Sequence, residues 1–408
     1  MTAQTVTAQT ASSISPAPAS SGPVIVPPET LARIHAAGIL SDRNGSYPTE
    51  GIQAVQDAGL LQVTVANRYG GPGGGFDALV DVISQIGRAD PSVALIVTMT
   101  LANHLTQAER GHWPDDHYRR IVEAGRQRPI LLNAARVEPD LGSPARGGLP
   151  QTQARRTANG WSISGTKRFV TGSEGLTHFL VWATTDETPA RVGTFIVPAT
   201  TPGISIIHNW DSLGMRATSS HDVAFDNVQV PLTDVLDLVE AGKGHQDNLG
   251  HAVLTLGLTS IYLGVGDAAA EGFARFTHGR VPANLGRPIA ETDRIIDVAG
   301  EIDLLVSSAR TFLFDALRHH RQDPLHLMRT RLIVGRQLQE AVALAVKTLG
   351  NPGLAADLGI ARNFRDIQAV LVHAPQEDTV LRQLGRSAFA RFKANQTTLP
   401  PAPLRAAV

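Results

Sequence analysis

The spacing of apolar residues changes twice along this chain, and this change restricts the possible fold more than any other feature. Apolar residues recur at helical spacing from about residue 28 to 128 and again from about 242 to 394. Between residues 129 and 231 they alternate with polar residues in short runs. A period near 3.6 predicts amphipathic helices, and a period of two predicts strands. The expected order is therefore helical, β, helical, with no internal repeat of about 20–50 residues.

Local signals support this order. Asn159-Gly160 lies between two alternating runs, Thr152–Thr157 and Trp161–Ile163, and Asn-Gly favours the tight turn of an antiparallel hairpin. The apolar stripe that runs from Ile295 to Ala316 is typical of a bundle helix. We predict an α+β fold with an N-terminal helical domain over residues 28–128, a middle antiparallel β-barrel or sandwich domain over 129–240 and a C-terminal four-helix bundle over 241–396. Residues 1–27 and 397–408 are predicted to be a disordered and a flexible tail.

Composition excludes several classes of protein. The chain carries 36 Lys and Arg against 37 Asp and Glu, a net charge of −1, so charge-driven binding of nucleic acid is not expected. It has no Cys, which excludes disulfides, Cys-ligated zinc, iron–sulfur clusters and Cys nucleophiles, and any redox chemistry needs a bound organic cofactor. The first basic residue is Arg33, later than a secretory signal requires, and no apolar run approaches the roughly 20 residues of a membrane span. We therefore expect a cytoplasmic protein without a membrane partner.

Common catalytic motifs do not occur in the sequence. It contains no Gly-x-x-x-x-Gly-Lys-Ser/Thr phosphate loop, no His-Glu-x-x-His zinc motif and no Gly-x-Ser-x-Gly nucleophile elbow. His319 and His320 are adjacent, so on a helix they point to different faces and make a poor metal pair. We interpret them as two solvated histidines.

Three segments have a more specific pattern. Asn133–Ser143 contains Val-Glu-Pro-x-x-Gly-Ser, Trp161–Gly172 contains Gly-x-Lys-x-x-Val-Thr, and Trp210–Pro231 contains Leu-Gly-Met-Arg-Ala-Thr before a strand that ends in Pro. Together with the helical–β–helical order, they make the chain similar to the acyl-CoA dehydrogenase superfamily over nearly all of its length after about Pro28. The resemblance implies a flavin-dependent oxidoreductase whose β domain covers a flavin ring that also rests on the C-terminal helices.

The resemblance also implies a set of residues around the flavin. The residues that match family positions along the flavin ring are Val137, Gly142, Ser143, Phe169 and Thr171. Gly350 and Asn351 match a Gly-Gly turn that meets the adenine-nucleotide part of the cofactor across a subunit interface, and Arg365 belongs to a matching Arg-x-x-Arg-Asp segment. The family usually forms homotetramers, so a homotetramer is expected.

Two family residues that hold the flavin diphosphate are replaced in this chain. Pro282 lies at the position of an Arg, and Leu285 lies at the position of a Phe. Arg280 and Arg287 are the candidates to compensate. The expected cofactor is therefore a flavin, either FAD or reduced FMN or FAD, without the assurance of tight and permanent binding.

The catalytic base of the dehydrogenases is also missing. These enzymes use a carboxylate to remove the proton α to a thioester carbonyl, and that base must lie within hydrogen-bond reach. The commonest family position, nine residues after Arg365, holds Ala374, and the alternative position near Leu254 also lacks Glu. Glu377 is the first candidate for a relocated base.

His373 supports a different prediction. The flavin monooxygenases related to acyl-CoA dehydrogenases, such as dibenzothiophene monooxygenase, share an Arg-Asp-x-x-x-x-x-x-His pattern that Arg365, Asp366 and His373 match. The resemblance implies reduced flavin delivered by a separate reductase and its reaction with O₂, and an imidazole with a pKa near neutrality suits such a site. The alternative for His373 is a partly buried residue that packs against a helix end.

Two further alternatives stay open. His104 lies four residues after Thr100, where related sequences often carry a His, and it could reach the same cavity or lie among polar residues at the helix end. We favour a two-component monooxygenase acting on a small organic compound, ahead of an acyl-CoA dehydrogenase with a relocated base. A noncatalytic flavin- or acyl-binding scaffold would also lack both the base and the diphosphate-binding Arg.

Overall fold

The computed structural model describes residues 22–141, 148–243 and 247–396, and within them the helical–β–helical order is confirmed. The first helices are α1 Pro28–Asn44, α2 Thr49–Asp57, α3 Gly75–Ala89, α4 Pro91–Arg110 and α5 Asp115–Gly125. The strands are β1 Leu132–Ala135, β2 Gln153–Arg156, β3 Gly160–Val170, β4 His178–Thr185, β5 Arg191–Pro198, β6 Ile204–Ile207, β7 His221–Pro231 and β8 Val235–Glu240. The last helices are α6 Asn248–Gly279, α7 Asp293–His319, α8 Pro324–Leu349, α9 Ile360–Asp366 and α10 Glu377–Gln396.

A side-chain cap fixes the start of α4. Asp90 is the N-cap of α4 because its carboxylate accepts a hydrogen bond from the Val93 backbone N–H at 2.8 Å. The chain is also held before α1, since the backbone N–H groups of Val24 and Val26 donate to Asp81 and Gln85 of α3. Ordered contacts therefore begin earlier than the predicted tail boundary at residue 27, while residues 1–21 and 397–408 lie outside the described part of the chain.

The middle region is one mixed sheet with the strand order β6-β7-β3-β2-β4-β5-β8, and β1 pairs with β4. The predicted hairpin is present, because Arg156 of β2 pairs with Trp161 of β3 in antiparallel register. The sheet is not wholly antiparallel, since one edge of β4 is shared by β1 and β2, which both run parallel to it. A parallel neighbour needs a long connection rather than a hairpin, so alternation alone does not reveal it.

Helix α6 is the central helix of the C-terminal region. It packs on α3 and α4 as well as on α7 and α8, so it joins the two helical regions into one core. Its 32 residues are long and apolar enough to cross a membrane, contrary to the expectation that no such run exists, but 78% of its most apolar window is buried inside the protein. We describe α6 as a core helix, for which burial on all sides explains the weak amphipathic pattern.

Candidate functional site

An aromatic surface is formed where β3 ends. Phe169 has a φ of 53° and is 53% exposed, and a positive φ costs a non-glycine residue about 1–3 kcal/mol unless its surroundings impose it. The Phe169 ring lies 6.4 Å from the Trp210 ring in an edge-to-face arrangement. Beside it, the Ser220 hydroxyl donates to the Thr171 hydroxyl at 3.2 Å. An exposed aromatic face next to polar hydroxyls fits the flat, partly polar ring system of a flavin.

A buried ion pair fixes the backbone on either side of this surface. Lys167 Nζ donates to Glu138 Oε1 and to the Trp182 carbonyl, both at 2.6 Å, and neither charged side chain is more than 1% exposed. The Val137 carbonyl accepts a hydrogen bond from the Arg168 backbone N–H at 2.9 Å. The Glu-Pro and Gly-x-Lys segments thus hold the predicted flavin-lining residues Val137 and Phe169 in place. Gly142 and Ser143, predicted beside them, lie outside the described residues.

Burial and hydrogen bonding shift the pKa values of this pair in opposite directions. Burial lowers the pKa of Lys167 to about 8, against the opposing effect of Glu138. For Glu138 burial raises the pKa, but hydrogen bonds from Lys167, Thr152 and the backbone N–H groups outweigh it, so the pKa of Glu138 is lowered overall. The hydrogen bond between them therefore helps both groups to stay charged at neutral pH.

A second residue, His221, fixes the loop that carries Trp210. Its Nδ1 atom accepts hydrogen bonds from the backbone N–H groups of Asn209 and Trp210, at 3.0 and 2.9 Å. Since Nδ1 is the acceptor, Nε2 carries the proton in the neutral ring, and it lies 3.8 Å from Glu174. This loop therefore has a defined path, which the sequence pattern did not reveal.

His373 lies after α9 and has a buried phenol as its partner. The Tyr262 hydroxyl lies 2.5 Å from His373 Nδ1, and Tyr262 is 1% exposed whereas His373 is partly exposed. Burial raises the pKa of Tyr262. Burial, assisted by the Arg331 guanidinium, lowers the pKa of His373 to about 4. Both groups are therefore neutral at pH 7.

This pairing assigns the tautomer of His373. A buried phenol that finds no acceptor loses a hydrogen bond at a cost of about 1–3 kcal/mol. Among the described residues His373 Nδ1 is the partner of the Tyr262 hydroxyl, so the phenol donates and Nδ1 accepts. The proton of the neutral ring then resides on Nε2. At neutral pH His373 is a hydrogen-bond donor through Nε2 rather than a strong base.

Arg331 of α8 holds the segment that carries His373. Its side chain is buried and donates to the carbonyl oxygens of Pro375 at 2.6 Å, of Val370 at 3.3 Å and of His373 itself. Within the described residues no carboxylate pairs with this guanidinium, and burial lowers the pKa of Arg331. A buried cation held by carbonyl dipoles is unusual, and its field disfavours a second positive charge on the adjacent imidazole.

His251 is a further candidate that the sequence did not reveal. It lies eleven residues before Tyr262 on α6, which is about three helical turns, so the two residues share a face. Its Nε2 atom is buried without a hydrogen-bond partner among the described residues. Burial, and then the Arg331 guanidinium, lowers the pKa of His251. The effect of Arg331 places this imidazole within electrostatic reach of that guanidinium.

The two halves of the candidate site are connected through Met215 and Asp366. The Met215 carbonyl accepts from the Trp210 indole N–H at 3.4 Å, and its backbone N–H donates to Asp366 Oδ1 at 2.6 Å. Asp366 is fully buried and lies seven residues before His373. A short chain of contacts therefore links the aromatic surface around Phe169 to the His373 segment.

The Arg-x-x-Arg-Asp segment connects all three regions of the fold. Arg365 pairs with Asp42 of α1 at 2.6 Å and donates to the Leu213 carbonyl of the β region at 3.0 Å. Arg362 pairs with Asp90 and lies 3.3 Å from Asp366. Arg365 and Arg362 also line a cleft of about 1200 Å³ between α1, α3, α6 and α9. This cleft includes neither Phe169 nor His373, so the structure shows Arg365 in an interdomain contact.

Two predicted catalytic residues lie elsewhere. His104 is 2% exposed and lies 2.8 Å from the Tyr118 hydroxyl, inside the core between α4 and α5. Burial lowers the pKa of His104 to about 4. Glu377 begins α10 and forms an ion pair with Arg336 at 2.5 Å, with both side chains partly exposed. No described hydrogen bond or ion pair brings either residue to His373.

The remaining predicted cofactor residues lie on another surface of the chain. Arg280 caps the end of α6, and Arg287 lies in the following loop, 3.7 Å from Glu291. Gly350 ends α8 with a φ of 66°, and Asn351 begins the next turn. No described hydrogen bond joins these residues to the aromatic surface, and their action toward a neighbouring subunit stays a prediction.

Sequence profiles of the acyl-CoA dehydrogenase N-terminal, middle and C-terminal domains match residues 31–113, 134–228 and 256–377. The chain belongs to the acyl-CoA dehydrogenase family. YdbM of Bacillus subtilis (strain 168), which carries the name putative acyl-CoA dehydrogenase, is 30% identical over 85% of this chain and 91% of its own length. Membership confirms the predicted fold, the enzyme class of flavin-dependent oxidoreductases and a flavin as the cofactor.

Two solved structures illustrate the range of the fold. KijD3, in complex with FMN and a dTDP-linked amino sugar, is 25% identical, with a TM-score of 0.77 over 89% of this chain and 91% of KijD3. FMN-bound TdsC from Paenibacillus sp. A11-2, a dibenzothiophene monooxygenase, is 20% identical, with a TM-score of 0.78 over 93% of this chain and 98% of TdsC. At that identity the likeness to TdsC concerns the fold alone.

Proposed function

We propose that this protein is the oxygenase component of a two-component flavin monooxygenase. The observation that carries the proposal is the neutral His373, whose Nδ1 accepts from Tyr262 so that Nε2 is a donor. A dehydrogenase needs a base at this point in the fold, whereas an oxygenase benefits from a neutral donor. When bound, a reduced flavin supplies the two electrons needed to insert one atom of O₂ into a substrate.

The residues of this chain have distinct roles in the proposal. Phe169 and Thr171 present an aromatic face and a hydroxyl to the flavin ring, and Val137 lines it through its backbone. His373 would donate a hydrogen bond from Nε2 toward the reacting oxygen and so hold that oxygen beside the flavin ring. Tyr262 keeps the proton on Nε2, since its own pKa is raised by burial and it stays a donor.

The proposed flavin is reduced FMN or FAD, delivered by a separate reductase. Pro282 and Leu285 replace the diphosphate-holding Arg and Phe, which favours a flavin that exchanges over one that stays bound. Arg280, Gly350 and Asn351 are exposed, and Gly350 ends α8. In the proposal they contact the cofactor of a neighbouring subunit. Exposed apolar side chains on α7 and α10 favour the homotetramer, including Ile296, Leu304, Phe389 and Phe392. The absence of Cys agrees with a cytoplasmic enzyme.

The acyl-CoA dehydrogenase alternative is less well supported. It needs Glu377 as a relocated base, but the Glu377 carboxylate is ion-paired with Arg336 at the start of α10. A carboxylate held by a guanidinium is a weaker base, because the adjacent charge favours the ionised form. A noncatalytic scaffold is also less well supported, since the neutral pair of Tyr262 and His373 has no evident structural need.

Flavin binding separates these functions. The oxygenase component binds reduced FMN or FAD more tightly than the oxidised form and releases the oxidised flavin during purification. A dehydrogenase retains oxidised FAD, and that FAD loses its visible absorbance on anaerobic addition of an acyl-CoA. Anaerobic titration of the full chain with reduced and oxidised flavin measures both affinities. A protein that binds neither flavin, or that holds FAD and is bleached by an acyl-CoA, would refute the proposal.

A further inference from the structure

Three potential metal ligands meet at the turn between α7 and α8, away from the flavin site. Asp315 lies in the last turns of α7, His320 follows its end, and His326 lies in the first turn of α8. The Nε2 atoms of His320 and His326 lie 3.5 and 3.7 Å from the same carboxylate oxygen, Asp315 Oδ2. One potential ligand atom from each residue lies within 4.8 Å of the others. The geometry points to a binding site for one divalent transition-metal ion, of the class that Zn²⁺ represents.

The backbone holds these ligands in place without an ion. The His320 carbonyl accepts from the Asp323 backbone N–H at 2.9 Å, which closes the turn. Asp323 then caps α8, because its carboxylate accepts from the backbone N–H groups of Leu325 and His326 at 3.0 Å each. The turn between the two histidines is therefore defined by hydrogen bonds, and little backbone order has to be gained when an ion binds.

Both imidazoles are free to offer a lone pair. Their rings are stacked, with centroids 3.6 Å apart and planes 15° from parallel. Within the described residues neither ring accepts from or donates to a backbone group, and Asp315 is the ion-pair partner of both. A histidine binds a metal through the lone pair of its neutral ring.

Two of the positive charges nearby are directed elsewhere. The Arg318 guanidinium lies over the Phe314 ring, 5.7 Å from its centroid. The Arg321 guanidinium lies over the Phe76 ring, 5.1 Å from its centroid. Neither arginine is paired with Asp315 in the described structure, so the carboxylate charge remains available to a cation.

The existing distances are close to those of a coordination shell. Bonds of about 2.0–2.2 Å to zinc place tetrahedral ligands about 3.3 Å apart, and the two N–O distances here are 3.5 and 3.7 Å. The stacked rings must splay, since a metal has to lie in both ring planes. Their partial exposure, 36% for His320 and 21% for His326, leaves room for that rotation and for water at the remaining positions.

A second cluster, of Glu174, His208 and His221, does not meet the same conditions. His221 Nδ1 already accepts from two backbone N–H groups, so its Nε2 carries the proton and has no lone pair to offer. His221 of this cluster fixes the loop that carries Trp210. In the described structure neither histidine of the α7–α8 turn accepts a backbone hydrogen bond through its ring. The contrast selects the turn as the metal site.

Zinc titration of the full chain, after removal of any affinity tag, tests the proposal. Isothermal titration calorimetry should show one tight equivalent of Zn²⁺ per chain, and His320→Ala, His326→Ala and Asp315→Asn should each weaken it by about tenfold or more. The matched control is His319→Ala, because His319 is adjacent to His320 in sequence but outside the cluster. His208→Ala is the control for the second cluster. Both controls should retain the wild-type affinity.

The visible absorbance of bound Co²⁺ provides an independent test of the site. Co²⁺ at the site should give visible ligand-field bands that the three ligand variants lose and that both controls keep. Circular dichroism establishes that each variant is folded, which the partial exposure of all three side chains favours. Absence of a stoichiometric ion, or an equal loss in His319→Ala, would overturn the assignment.

Discussion

The buried ion pair of Lys167 and Glu138 offers a quantitative test of how the fold positions the flavin-facing surface. We consider Lys167→Met, which keeps the length of the side chain and removes its charge. Lys167 donates two hydrogen bonds at 2.6 Å, to Glu138 and to the Trp182 carbonyl. The variant leaves the Glu138 carboxylate buried without its cation and the carbonyl without its donor.

The expected magnitude follows from these contacts. Removing one partner of a buried ion pair costs about 3–5 kcal/mol. Glu138 keeps three other donors, namely the Thr152 hydroxyl at 2.6 Å and the backbone N–H groups of Gln151 and Thr152. We therefore expect the lower end, a loss of about 3 kcal/mol in the free energy of unfolding. Urea denaturation followed by Trp fluorescence measures it.

A double variant tests the cause of that loss. Glu138→Gln removes the unpaired charge, so K167M/E138Q should be more stable than K167M by about 1–2 kcal/mol, and the effects of the two substitutions should not be additive. A loss below about 1 kcal/mol for Lys167→Met, or additive effects of the two substitutions, would refute the reasoning. Flavin affinity should fall in Lys167→Met, because Val137 and Phe169 are set by the same segments.

Three further predictions concern other contacts. The pKa of His104 is lowered from 6.5 to about 4 in the folded protein. The unfolded chain therefore takes up a proton first, and the free energy of unfolding falls as the pH drops from 6.5 to 4. His104→Gln, which can still form a hydrogen bond to Tyr118, should reduce that fall by about 3 kcal/mol, as measured by urea denaturation at successive pH values. Arg331→Met leaves three carbonyl oxygens without their hydrogen-bond donor and should lower the free energy of unfolding by about 3 kcal/mol in the same assay, whereas Arg331→Lys should lower it less. Asp42→Asn removes the carboxylate that pairs with Arg365 and should cost about 1 kcal/mol, visible as a small fall in thermal midpoint, because the Arg365 side chain is 29% exposed and keeps its hydrogen bond to the Leu213 carbonyl.

Much of the fold could be predicted because it depends on the local spacing of apolar residues. The order of helices and strands, the hairpin at Asn159-Gly160 and the cap at Asp90 all depend on neighbouring residues. The parallel pairing of β4 with β1 and β2 could not be read in this way. It joins segments far apart in sequence, and the alternation of apolar residues is the same for either strand direction.

The candidate site was predicted in part for the same reason. His373 and Phe169 were found through short patterns that resemble a family, but their partners were not. Tyr262 lies in an apolar helix, where the sequence pattern predicts that a Tyr is a core residue. Arg331 lies in an amphipathic helix, where the pattern predicts that an Arg is solvated. Each acts across more than 40 residues of sequence, a relationship that single-sequence patterns do not contain.

His320 shows the same limit at shorter range. The sequence places His319 beside it and argues against a metal pair, which is sound for two neighbours on a helix. The structure pairs His320 instead with His326 across a turn, with Asp315 one helical turn earlier. The turn geometry, fixed by the Asp323 cap, decides the pairing.

The reaction of the reduced flavin complex with O₂ tests the central claim most directly. Stopped-flow absorbance should show two phases of flavin reoxidation in the wild type, a first phase whose rate depends on O₂ and a slower second phase that does not. His373→Ala should merge or greatly accelerate the second phase, Tyr262→Phe should do so in part because the Nε2 tautomer is no longer imposed, and the surface control His319→Ala should match the wild type. A single phase in the wild type, or a second phase unchanged in His373→Ala, would contradict the account.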